Sequence, residues 1–356
     1  MSIFTILLAL LAFGFLIFVH ELGHFLAARA FGIRVYEFSI GMGPKLLWYD
    51  SKKTGIRYKL CILPFGGYVS MAEAGEDDSA PSTDPRALVN QKPWRRLIVM
   101  IAGGFVNLVV GFLLMVAVVA GGTIGSTVVA DFPNEIAVEG VSTNAQGLLS
   151  GDEIIKVGGR RIRTAQELDY EIMRKGTAPL EVVVLRDTDG DGVRETELPL
   201  TITFPTETAE GQLLGTRDFR IYAREKTVGS VLKDSFFRSV CLVRMVWESL
   251  YDLVTGRYGV EAVSGPIGIT GTMGEAVSYG VLPFLYLIAM ISINLGVVNL
   301  LPIPALDGGR VVFLLIEMIF RKPVPRHIEA RIHAIGLLLL LGLSVFVSCM
   351  DIRSFF

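Results

Sequence analysis

The chain has 356 residues, of which 51% are hydrophobic and only 19% charged, with a formal net charge of −2. So small a charged fraction excludes an ordinary water-facing surface, and so even a balance supplies no field for nucleic acid. The three cysteines, Cys61, Cys241 and Cys349, are too few and too far apart for a disulfide framework or a zinc knuckle.

Residues 3–19, IFTILLALLAFGFLIFV, carry no charge. With residues 22–33 they form an apolar stretch of roughly 30 residues, enough for a long or tilted membrane span. A cleaved signal peptide would want a basic leader, and no Lys or Arg precedes Arg29. Inside the stretch stands His20-Glu21-Leu22-Gly23-His24. On a helix, positions i and i+4 share a face, so the two imidazoles can grip one zinc ion. Glu21 lies near that ion, placed to accept a proton from the attacking water and to return one to a leaving amine. Imidazoles and carboxylates at membrane depth are costly and mark function.

Residues 56–71, IRYKLCILPFGGYVSM, join a strand-like first part to a Pro–Gly-Gly break and predict a β-hairpin. Residues 72–93 are polar and predict a mobile loop. A second span over 97–120 is introduced by KPWRR. Composition changes after Gly122, and residues 126–203 alternate short strands with turns. In DTDGDGVRE (187–195), Asp187, Asp189, Asp191 and Gly192 fit the start of a calcium loop. The twelfth position is Leu198, where a bidentate Glu is required, so a hairpin turn is the expectation. Residues 228–263 predict an amphipathic helix, set either on the outer membrane surface or against the preceding domain. A third span is expected over 281–301 and a fourth from about 332 to 349, while 306–320 is too short to cross. Arg321, Lys322, Arg326 and Arg331, with the basic cluster before the second span, place 31–93 and 321–331 in the cytoplasm and 122–280 on the far side.

A catalytic zinc ion usually takes a third protein ligand. His327 and His333 lie in or beside a basic loop and read as solvated or interfacial. Asp307 in NLLPIPALDGGR (299–310) is the better candidate. Pro302 and Pro304 disrupt helix there and Gly308-Gly309 loosen the backbone, which suggests a lined polar cavity.

His20-Glu21-x-x-His24 in the first span and Leu306-Asp307-Gly308 late in the chain resemble the site-2 protease family of intramembrane zinc metalloproteases, of the bacterial regulator-of-sigma-E protease type. FSIGMGPKL (38–46), LPFGGYVSM (63–71), AGGFVN (102–107) and SGPIGI (264–269) extend the resemblance over essentially the whole chain. Gly104 stands where members often have Pro. GDEIIKVGGRRI (151–162), followed by the helical TAQELDYEIMRKG (164–176), resembles a PDZ domain, with room for one copy.

The resemblance implies a Zn2+ cofactor held by His20, His24 and Asp307, with Glu21 as acid and base. It implies that the hairpin dips into the membrane beside the zinc. Leu60, Cys61, Leu63, Gly66 and Gly67 would hold an unwound substrate there as an added strand. It sets Asn107 and Asn299 near the substrate or the oxyanion, while Asn294 reads as a helix-bonding amide. The expected fold is a polytopic α-helical membrane protein of about four transmembrane helices, with a membrane-associated β-hairpin and one inserted extracytoplasmic PDZ-like α+β domain. Its parts are an N-terminal membrane part (1–121), the PDZ-like domain (122–205), a linker with the amphipathic helix (206–280) and a C-terminal membrane part (281–356). The expected partners are single-pass membrane protein substrates in the bilayer of the bacterial inner (cytoplasmic) membrane. The PDZ-like domain would act through peptide binding or as a steric filter. An inactive PDZ scaffold would need none of the four polar residues, and a zinc transporter would need a polar path that the sequence lacks.

Overall fold

The computed structural model describes residues 3–72, 84–133, 141–209, 212–257 and 265–354. Of the mobile loop expected over 72–93, residues 73–83 lie outside the described residues, while 84–93 are held in place: Ala87 and Leu88 are buried and the Leu88 amide donates to the Ala72 carbonyl at 2.7 Å. In chain order the elements begin with helix α1 (Ile3–Ala30), strands β1 (Val35–Asp50) and β2 (Arg57–Met71), and helix α2 (Pro93–Gly121). There follow β3 (Ile124–Val129), β4 (Glu153–Val157), β5 (Arg160–Arg161), α3 (Ala165–Lys175), β6 (Leu180–Arg186) and β7 (Thr196–Ile202). The chain continues with β8 (Thr206–Ala209), β9 (Gln212–Gly215), β10 (Ile221–Arg224) and α4 (Val228–Val254). It closes with α5 (Pro266–Tyr279), α6 (Val281–Asn299), α7 (Asp307–Phe320) and α8 (Arg326–Ser354). Two compact units result: Met1–Leu114 with Leu242–Phe356, and Met115–Cys241.

Among the described residues four helices, α1, α2, α6 and α8, are long and apolar enough to cross a membrane. With 14 residues, α7 rises only about 21 Å and is too short for a hydrocarbon core of about 30 Å. Helices in lipid gain from close backbone approach, and small residues permit it. A Cβ added to Gly23 of α1 would lie 2.4 Å from the Ala102 carbonyl oxygen of α2. A Cβ on Gly104 would lie 2.9 Å from the Gly296 oxygen of α6, so Gly104 sits at a tight helix crossing. The Asp351 carboxylate of α8 accepts from the amides of Gly265 (3.1 Å) and Gly268 (2.9 Å), capping the start of α5.

The hairpin expected within 56–71 turns back as read, but its two arms, both within β2, do not pair with each other: their partner is the preceding segment. The antiparallel pairing sets Phe38 opposite Val69 and Trp48 opposite Lys59. Residues Glu37–Ile40 also stand alongside Arg57–Leu60, so this part of β1 runs between the two ends of β2. The Pro–Gly-Gly break reverses β2, since Glu37–Ile40 runs alongside Arg57–Leu60 in the same direction and alongside Gly67–Ser70 in the opposite one, with Gly66 at φ 77°. One face packs on α1 through Phe38, Tyr58 and Phe25. The base of the sheet is charged, with Arg57 bound to Asp50 (2.6 Å) and Lys59 to Glu37 (2.5 Å). Its far end exposes Met42, Leu46 and Ile62.

In the second unit the strand order is β10-β3-β4-β6-β7, with β5 on β4 and a separate β8–β9 pair. Ile154, Val157, Leu168, Ile172, Val182, Val184, Ile202, Phe204 and Phe219 form its core. Thr164 caps α3, accepting from the Glu167 amide, and Glu167 in return accepts from the Arg163 amide. The expected boundary at residue 205 is corrected: β10 comes from the presumed linker, pairs with β3, and brings Phe219 into the core. Residues 187–195 connect β6 to β7 as the expected turn. The amides of Gly190 and Gly192 bind the Asp187 carboxylate and hold its pKa below the usual carboxylate range. Helix α4 leaves Val228, Leu232, Phe236, Val240, Trp247, Tyr251 and Val254 exposed along one stripe.

Asp152 of the GDEII motif is 1% exposed and is held by Arg186 through two 2.7 Å bonds. Arg186→Leu would leave a buried carboxylate without its cation. The expected cost is about 3 kcal/mol, read as a lowered unfolding midpoint of the full-length protein in detergent.

Candidate metal centre

Helix α1 brings His20 and His24 to one face, and Asp307 opens α7 after the broken backbone. The Nε2 atoms of His20 and His24 lie 3.0 and 3.1 Å from Asp307 Oδ2 and 3.2 Å from each other. Three donors about 3 Å apart fit the roughly 2.0–2.2 Å bonds of one tetrahedral zinc ion with its fourth position left open. Asp307 Oδ2 is buried with the two imidazole Nε2 atoms beside it; when both rings carry their proton on Nδ1 it faces lone pairs only, an expensive condition that a cation would relieve. The space beside the donors exists because residue 103 is glycine. A Cβ there would lie 2.4 Å from His24 Nε2 and 2.8 Å from His20 Nε2.

The surroundings orient each ligand. The ring Nδ1 of His24 lies 2.8 Å from the Val99 carbonyl oxygen, which can only accept, so Nδ1 carries the proton and Nε2 offers its lone pair. Gly308 fits under the carbonyls of Leu300 and Leu301, where a Cβ would lie 2.0–2.5 Å from backbone atoms. The loop before Asp307 is held from α8: the Ala305 amide donates to His333 Nδ1 at 2.9 Å. Arg96 of α2 reaches both Glu317 oxygens of α7 at 2.8–2.9 Å, tying the helix that begins with Asp307 to the one that carries Gly103.

Glu21 stands between the helix and the sheet. Its carboxylate accepts from the Val69 amide, and its Cγ lies 3.3 Å from where a Gly67 Cβ would be. The β2 segment from Gly66 to Val69 therefore borders the site. Leu60 does not, because it has rungs on both sides, opposite Ile40 and Leu47. Cys61 is buried and pairs with Lys45, with its sulfur 3.5 Å from Ser39 Oγ. Leu63 is part of β2. Asn107 is fully buried, its amide meeting His20 Nδ1 at 3.2 Å, while Asn299 ends α6 half-buried and Asn294 is exposed. Sequence reasoning missed Val99, Gly103 as the open space, and His333. A backbone carbonyl has no sequence signal, and His333 was discounted for its basic neighbourhood.

Two imidazoles and a carboxylate around one open position, with a glutamate beside them, define a single-metal hydrolase centre. Residues 8–343 match peptidase family M50. A Clostridium perfringens protein that carries the name of a zinc metalloprotease is 37% identical over 350 residues, 98% of each chain. A similarly named Fusobacterium nucleatum protein is 31% identical over 99% of each chain. The zinc metalloprotease RasP of Geobacillus kaustophilus is 29% identical, covering 99% of this chain and 98% of its own. The chain belongs to peptidase family M50 and is a zinc-dependent membrane metalloprotease.

Asp307→Asn should keep the fold and bind zinc more weakly, since a neutral amide is the poorer ligand. Gly103→Ala should also lose zinc by filling the space beside the donors. Metal content of the purified proteins checks both, and full zinc occupancy in Asp307→Asn would remove that residue from the centre.

Proposed function

We propose that the protein is an intramembrane endopeptidase that hydrolyses single-pass membrane proteins within or near their transmembrane segments. The observation that carries this reading is the convergence of His20, His24 and Asp307 with two of the donors inside an apolar helix long enough to cross a membrane. Trimmed anti-sigma factors and remnant signal peptides are the substrate classes that the family resemblance favours, in regulated intramembrane proteolysis. Zinc, when bound, supplies Lewis-acid polarisation of the scissile carbonyl and of water. Glu21 then takes the proton of the attacking water and delivers it to the departing amine, and its place beside the ligands suits both transfers.

A helix must unwind before its amides can be reached, and an added strand holds an unwound peptide. The β1–β2 sheet suits that task, with its apolar end in the membrane and its charged base in water. The holding edge is assigned to Gly66–Val69 and no longer to Leu60–Cys61, because Gly67 and Val69 adjoin Glu21. The second unit is read as the PDZ-like domain, on the outer face of the bacterial cytoplasmic membrane, serving peptide recognition or size exclusion. The apolar stripe of α4 is read as lying on that membrane surface.

Glu21→Gln should retain zinc while cleavage of a reconstituted single-pass substrate falls by about 10²–10⁴-fold or more. Near-normal turnover by this variant would contradict the mechanism.

A further inference from the structure

Asn107 lies on α2, one helical turn beyond Gly103, and is 0% exposed. Its Nδ2 stands 3.2 Å from His20 Nδ1, on the far side of the imidazole from Nε2 and Asp307. Its Oδ1 is buried without a hydrogen-bond partner. The side chain is thus enclosed behind a metal ligand, with no open space around it for a substrate.

The chemistry of the imidazole decides what this contact must be. A neutral imidazole has one N–H and one lone pair. For His20 Nε2 to offer its lone pair to zinc, Nδ1 must carry the proton and needs an acceptor. His24 meets the same requirement with the Val99 carbonyl. An Nδ2 donor facing His20 Nδ1 would impose the opposite tautomer and put the proton on Nε2, where the metal must bind. A half-turn of the Asn107 amide presents Oδ1 to Nδ1–H, and it breaks no bond that Oδ1 now makes. We infer that Asn107 is a positioning residue: its Oδ1 accepts the Nδ1–H of His20 and so holds the Nε2 lone pair on zinc. Asn107 then touches neither substrate nor oxyanion. Its own helix is anchored at that point, because Ser292 Oγ of α6 donates to the Asn107 carbonyl at 2.8 Å.

The inference rests on His20 being a ligand, and the test separates the two claims. Zinc affinity is measured by chelator competition on full-length protein in detergent for wild type, Asn107→Asp, Asn107→Leu and His20→Ala. Aspartate has acceptors only, so Asn107→Asp should bind zinc within about threefold of wild type or more tightly. Leucine has none, and Asn107→Leu should bind about 10–100-fold more weakly. In 15N-histidine spectra of the zinc-loaded wild type, Nδ1 of His20 should be the protonated nitrogen. Unchanged affinity in Asn107→Leu alongside lowered affinity in His20→Ala overturns the inference alone. Unchanged affinity in His20→Ala removes the ligand and the inference with it. Should Asn107→Leu not fold, the aspartate variant decides, since a tenfold or larger loss there overturns an acceptor role.

Discussion

Two imidazoles and a carboxylate are enclosed by apolar helices, and everything near them answers to the cost of keeping them there. An uncompensated carboxylate in such surroundings is strongly unfavourable, and with both imidazoles protonated on Nδ1, Asp307 Oδ2 faces their lone pairs alone. A divalent cation shared with His20 and His24 would resolve that cost and would supply the Lewis acid that peptide hydrolysis needs. The helix packing follows from the same requirement. Gly23 and Gly103 let α2 run close enough to α1 for Val99 to reach His24 and Asn107 to reach His20. Gly308 and the bond from Ala305 to His333 then set Asp307 at the remaining corner.

The sheet beside the centre faces a different constraint. A strand edge exposed to lipid leaves amides unsatisfied. The Val69 amide is satisfied by Glu21 itself, so Glu21 and the border of the sheet are joined by one hydrogen bond. Packing against α1 through Phe38 and Tyr58 fixes that border in place.

The four long helices were legible because each is a run of apolar residues with a sharp polar end. The candidate ligands His20, His24 and Asp307, which the structure brings together, were legible because polar side chains stand out in such runs. The alternation and capping signals of α3, β4, β6 and β7 were likewise local, with Thr164 and Glu167 marking the helix start. What escaped depends on pairing at a distance. Residues 56–71 have the composition of a hairpin and do turn back, but only the partner segment reveals that Glu37–Ile40 lies between the two arms. β10 is four residues long, and nothing local shows that it belongs to β3. Asn107 could be seen as a polar residue in a span, but its facing group, a ring nitrogen 87 residues earlier, could not.

The central claim is that one zinc ion is bound by two histidines and one aspartate at a position still open to water and peptide. X-ray absorption at the zinc edge of the purified protein tests it most directly. The account predicts two imidazole nitrogens at about 2.0–2.1 Å and oxygens at about 2.0–2.2 Å, with no sulfur. A sulfur shell at about 2.3 Å, or fewer than two imidazoles, would contradict it.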